Sequence, residues 1–89
     1  MTVTAYSEKI MDILRTHESE SEDPDQLFYS AYLMGHISLL AGDDYDSTEA
    51  FDHQLQQSLA HAFTTENLTT EDKEGIKALL SETKTAAAA

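Results

Sequence analysis

The chain has 89 residues, no cysteine and a formal net charge of −12, from five Lys and Arg against seventeen Asp and Glu. That length makes one domain near the lower end of sizes that fold unaided, with no disulfide or thiolate metal site to help. Hydrophobic residues make up 40% of the chain, too many for a disordered acidic polymer, while the carboxylates repel nucleic-acid backbones and anionic lipid.

No Lys or Arg stands between Arg15 and Lys73, an interval that holds thirteen acidic residues. Such a surface keeps a protein soluble by self-repulsion and draws in basic partners. No apolar run approaches the length of a membrane span. Residues 1–9 have neither the basic start nor the apolar stretch of a signal peptide. The expectation is a cytoplasmic protein.

Four segments carry a helical apolar period. In the first, Val3, Tyr6, Ile10, Ile13, Leu14 and His17 recur at spacings of three and four. A charged linker from Glu18 ends in a start signal: Asp23 is placed to cap, Pro24 suits the first helical position, and Gln26 completes a capping box. The second helix is expected from Pro24 to Ala41, with Gly42 as its stop. It is apolar nearly all round, which is the pattern of a helix buried on more than one side. Leu27, Phe28, Ala31, Tyr32 and Leu39 form one arc, and Tyr29, Leu33, Ile37 and Leu40 form another. Ala31, Gly35 and Ser38 form a small-residue flank where a second helix can approach. Gly35 costs about 1 kcal/mol of helix propensity relative to Ala, so close packing is its expected compensation.

After the acidic turn at residues 42–46, Asp46 with Glu49 reads as a second capping box. The third helix carries Phe51, Leu55, Ser58, Leu59, Ala62 and Phe63 on one arc and His53, Gln54, Gln56, Gln57 and His61 on the other. Thr69 caps a fourth helix with Asp72 in its first turn, Ile76, Leu79 and Leu80 on its apolar face, and Lys77 and Lys84 later, where cations suit the helix dipole. Short connections make sequential helices antiparallel neighbours. The expected fold is all-α: a small four-helix antiparallel (up-down) bundle, the second helix central, forming one domain over residues 1–85 with a frayed tail at 86–89.

Little in this sequence carries chemistry. His53 and His61 lie two turns apart, too far to share one ion, and no Glu-x-x-His or His-x-x-x-His pair occurs. The acidic turn lacks the Gly that a calcium loop starting at Asp44 needs at position 49 and the Glu it needs at position 55. With no Cys nucleophile and no glycine-rich phosphate loop, no catalytic residue, metal site or cofactor is assigned. His36, one turn after Tyr32, reads as a core or edge histidine satisfied by a hydroxyl, with Ser58 as a candidate partner. The arc Tyr29, Leu33, Ile37 and Leu40 is core if three helices surround it and an interface if they do not.

The run Asp25 to Leu39, and within it Leu27-Phe28-x-Ser30-x-Tyr32-Leu33-x-Gly35-His36, resembles the YfcL-like family of small bacterial proteins. The resemblance continues through Gln57-Ser58-Leu59 and Leu68-Thr69-x-x-Asp72. Two positions depart from the family pattern: Ala31, where it often has Gly, and Met34, where a basic residue can stand, which weakens any role needing a cation there. The resemblance implies a gammaproteobacterial cytoplasmic protein, brings no activity with it, and favours Ser30, Tyr32, Gly35 and His36 as positions to test.

Three functional readings follow. The leading one is a non-enzymatic module that binds another protein, or a second copy of itself as a homodimer, through the second helix and nearby acidic surface, using neither nucleic acid nor membrane. The next is a small-molecule or metal-binding pocket around Tyr32 and His36, with Ser58. The last is an acidic nucleic-acid mimic that occupies a basic partner, which needs the carboxylates gathered on one face.

Overall fold

The computed structural model describes residues 2–88. Among them the chain forms four helices, α1 (Val3–Glu20), α2 (Pro24–Leu40), α3 (Thr48–Thr65) and α4 (Thr70–Ala88), and no strand. None of these helices is long and apolar enough to cross a membrane.

Polar bonds between helices fix their directions. His17 Nε2, near the end of α1, donates to Gln26 Oε1 at the start of α2, 2.9 Å away. Tyr6, early in α1, donates to both carboxylate oxygens of Asp52, early in α3, at 2.8 and 3.0 Å. The Tyr29 hydroxyl, early in α2, donates to Asp72, early in α4, at 3.2 Å. Lys84, late in α4, lies 3.8 Å from Asp52. Successive helices therefore alternate in direction, and the domain is an up-down four-helix bundle. Its core centres on Ile10, Leu14, Leu33, Ile37, Phe51, Leu55 and Ile76, all fully buried. α2 packs against α1, α4 and α3, as a central helix should.

The expected packing of sequential neighbours fails at one place. α4 leans onto α2 and α1, and its backbone hardly approaches α3. Gly75 permits the close approach to α2: a Cβ there would stand 2.6 Å from the Tyr29 Cζ and 2.9 Å from its hydroxyl oxygen. The missing side chain lets the Tyr29 ring lie against the α4 backbone, which draws the diagonal pair together and leaves a cleft between α3 and α4. The close approach expected at Gly35 is absent: Gly35 is exposed, and none of the described residues beyond its own turns of α2 lies within 4 Å of where a Cβ would stand.

Helix ends differ from expectation in four respects. Asp23 caps α2 by accepting from the Asp25 N–H at 3.0 Å, but Gln26 bonds to His17 instead of closing a capping box. α3 is capped by Ser47, which accepts from the Ala50 N–H at 3.1 Å, rather than by Asp46. α2 stops without a left-handed glycine, for no glycine has positive φ among the described residues. The Tyr45 hydroxyl and the Asp43 N–H each donate to the Leu40 carbonyl at 3.1 Å, satisfying an orphan acceptor that a glycine cap usually serves. α1 continues to Glu20, through the first three residues of the linker expected from Glu18. α4 extends to Ala88 and buries Ala87, while residue 89 lies outside the described residues. Thr69 caps α4 as expected, accepting from the Asp72 N–H at 3.0 Å.

Candidate functional site

The second arc of α2 is core. Leu33 and Ile37 are fully buried, Tyr29 and Leu40 nearly so, because α1, α3 and α4 all converge on that side. Tyr29, Leu33, Ile37 and Leu40 therefore pack as core side chains and leave no exposed apolar face on that side of α2. Ser30 joins them at 0% exposure, its hydroxyl without a partner among the described residues.

The opposite side of α2 faces outward. At about 100° per residue, Phe28, Gly35 and Leu39 project within a narrow sector, Ala31 and Ser38 flank it on one side, and Tyr32 and His36 on the other. Phe28 is 43% exposed and Leu39 78%, and both are large hydrophobic side chains. Ala31, Gly35 and Ser38 are exposed as well. No Asp, Glu, Lys or Arg occurs from Gln26 to Gly42, so this sector is uncharged along three turns. Asp23 and Asp25 stand at one end and Asp43 and Asp44 at the other, all exposed.

Its edge toward α3 is an aromatic row. Tyr32 packs at ring separations of 5.9 Å from Phe28, 4.8 Å from His36 and 6.3 Å from Phe63, the last nearly parallel. His36 Nδ1 shares a hydrogen bond of 3.1 Å with Ser58 Oγ, the partner expected from the sequence. Both residues are half-buried, so this pair ties α2 to α3. The Tyr32 hydroxyl is buried with no acceptor at hydrogen-bonding geometry among the described residues. Burial, reinforced by the Glu66 carboxylate nearby, pushes its ionisation up to about 12. Tyr32, His36 and Ser58 line none of the three best-formed clefts, which are bordered by other residues.

The largest of the three clefts lies between α3 and α4, about 730 Å³ in volume. Leu59, Phe63 and Leu80 form its floor, and Lys73, Lys77 and Lys84 stand along the α4 side. These are three of the five Lys and Arg in the chain, and no carboxylate lines the cleft. Lys77 Nζ sits 5.7 Å from the Phe63 ring centroid, a cation–π contact. Sequence reasoning placed Lys77 and Lys84 at the dipole's favoured end and missed the shared face. The spacing of residues 73, 77 and 84 at one and two turns was the available signal. What it lacked was the displacement of α4, which Gly75 permits.

No curated protein and no solved structure matches the chain. A family model described as YfcL protein matches residues 4–85, nearly the whole chain, and with it the residues of α2 on which the resemblance rested. The chain belongs to the YfcL family.

Proposed function

We propose that this protein is a non-enzymatic binding module that holds another protein against the outward sector of α2. The observation that carries this reading is the pair Phe28 and Leu39, exposed three turns apart on an uncharged helix face. Large apolar side chains gathered on one face of an otherwise acidic surface mark a contact site. The small residues between them leave open space over Gly35, into which a partner's side chain or helix can settle. Carboxylates at both ends of the sector favour a partner whose apolar contact is bordered by Lys or Arg. The same charge disfavours a second copy, since each chain brings −12 to the encounter. The acidic-mimic reading is weaker, because the acidic segments at 18–25 and 43–46 flank opposite ends of α2, about 25 Å apart by helix rise.

Site-directed photo-crosslinking tests the proposal. A crosslinking residue at position 35 is expected to capture a discrete partner, and one at the exposed Glu82 position is not. Adding Leu39→Glu should abolish the capture at unchanged melting temperature, since Leu39 contributes little to the core. Equal capture from both positions, or capture that survives Leu39→Glu, would remove the α2 sector as the binding face. A crosslink to a second copy would replace the partner by a homodimer, which light scattering at low and high salt would register as a doubled mass.

A further inference from the structure

The cleft between α3 and α4 is chemically the opposite of the surface around it, and its lining shares no residue with the α2 sector, touching that sector's edge only where Phe63 stacks on Tyr32. A protein with seventeen acidic side chains pairs its cations readily, yet among the described residues no carboxylate stands within 4 Å of Lys73 or Lys77. The ion pairs among the described residues are Arg15 with Asp12 and Lys84 with Asp52. Lys73 and Lys77 stand one helical turn apart, about 6 Å along α4, close enough for two ammonium groups to grip one anionic head. Phe63, Leu59 and Leu80 continue the cleft as an apolar floor, and Gln56, Thr64, Ser81 and Thr85 add neutral hydrogen-bonding groups at its rim. The volume falls in the range of roughly 300–1,000 Å³ seen for small-molecule sites.

We infer that this cleft binds a small amphipathic anion: one carboxylate or phosphate head held by Lys73 and Lys77, with an aliphatic or aromatic body laid along Phe63, Leu59 and Leu80. Charge decides between this occupant and an acidic polypeptide. A ligand with one or two negative charges is weakly repelled by the net charge of −12, whereas an acidic partner helix carries its own repulsion across the whole approach. Lys84 is partly engaged with Asp52 and sits at the far end, where it closes the cleft rather than holding the head. Because the lysine ends are exposed to salt, added electrolyte should weaken the grip on the head.

Decanoate, below its micellar concentration, is the probe. Titrated into the ¹⁵N-labelled full chain, it should produce saturable amide shifts grouped on residues 56–64 of α3 and 73–85 of α4. Decanol, which keeps the chain and lacks the charge, should bind about tenfold more weakly or worse, as should decanoate to Lys73→Gln/Lys77→Gln. Lys73→Arg/Lys77→Arg should retain binding, and thermal melts should show every variant folded. The inference is overturned if shifts are absent or spread over α1 and α2, if decanol binds as tightly as decanoate, or if the double glutamine variant binds undiminished. Should an acidic peptide shift the same residues more strongly than decanoate, the cleft belongs to a polypeptide and the small-anion assignment fails. Loss of the α2 partner in Leu39→Glu leaves this titration unaffected, so the two sites fail separately.

Discussion

Ser30 is buried completely and its hydroxyl has no partner among the described residues. A buried hydroxyl without a hydrogen bond is unfavourable, so Ser30→Ala should raise the melting temperature, by an amount corresponding to about 1 kcal/mol, in a thermal melt followed by circular dichroism. Tyr32 and His36 make different demands. His36→Ala removes the bond to Ser58 and the stacking against Tyr32, and should lower stability by about 1–2 kcal/mol. Tyr32 titrates higher folded than unfolded, from an ordinary 10.0 up to about 12. The folded state therefore holds the proton more tightly, and that share of stability is present below pH 10 and lost as pH rises from there toward 12. Melts across the alkaline range should fall with pH, and Tyr32→Phe should flatten part of that slope. The Ser58 contact was legible because the apolar arc of α3 carries a single hydroxyl facing a helix with a single histidine. The orphaned Ser30 was not, since nothing local distinguishes a buried serine from an exposed one on a helix apolar all round.

At the scale of the helix, α1 runs to Glu20, into the linker expected from Glu18, but the sequence displayed four apolar helical periods and helix starts within a residue of those found. It did not display which of two apolar arcs on α2 turns inward. Both arcs hold large side chains, and the small flank at Ala31, Gly35 and Ser38 suggested helix contact on the side that in fact meets solvent. The glycine that governs packing is Gly75, and it reads in sequence as an ordinary interruption of an acidic and basic helix. Propensity alone would make Gly75→Ala stabilising by up to about 1 kcal/mol. Contact with Tyr29 reverses the sign: the ring must move or α4 must shift, and the melting temperature should drop. Tyr29→Ala/Gly75→Ala should then lose less than the two single changes together, which a double-mutant cycle measures.

For the molecule as a whole, charge sets behaviour that no single contact does. Seventeen carboxylates against five cations, with few ion pairs, leave a net repulsion in the compact state. Added sodium chloride screens it, so stability should rise with ionic strength from low to physiological salt, as denaturant midpoints would register. Composition announced this term at once. The clustering of the cations in one cleft was hidden, because it depends on how far two helices stand apart and not on how many lysines the chain has.

The glycine contact that draws α4 onto α2 also leaves α3 with the fewest neighbours of the four helices. Its attachment rests on Phe51 and Leu55 in the core, on the Asp52 link to Tyr6 and Lys84, and on the His36–Ser58 bond. Helices with the least shared surface open first in native-state hydrogen exchange. The amides of α3 should therefore exchange ahead of those in α1, α2 and α4, with a denaturant dependence smaller than that of global unfolding. The molecule then behaves as a three-helix unit with a fourth arm, and each departure of that arm widens the cleft it shares with α4.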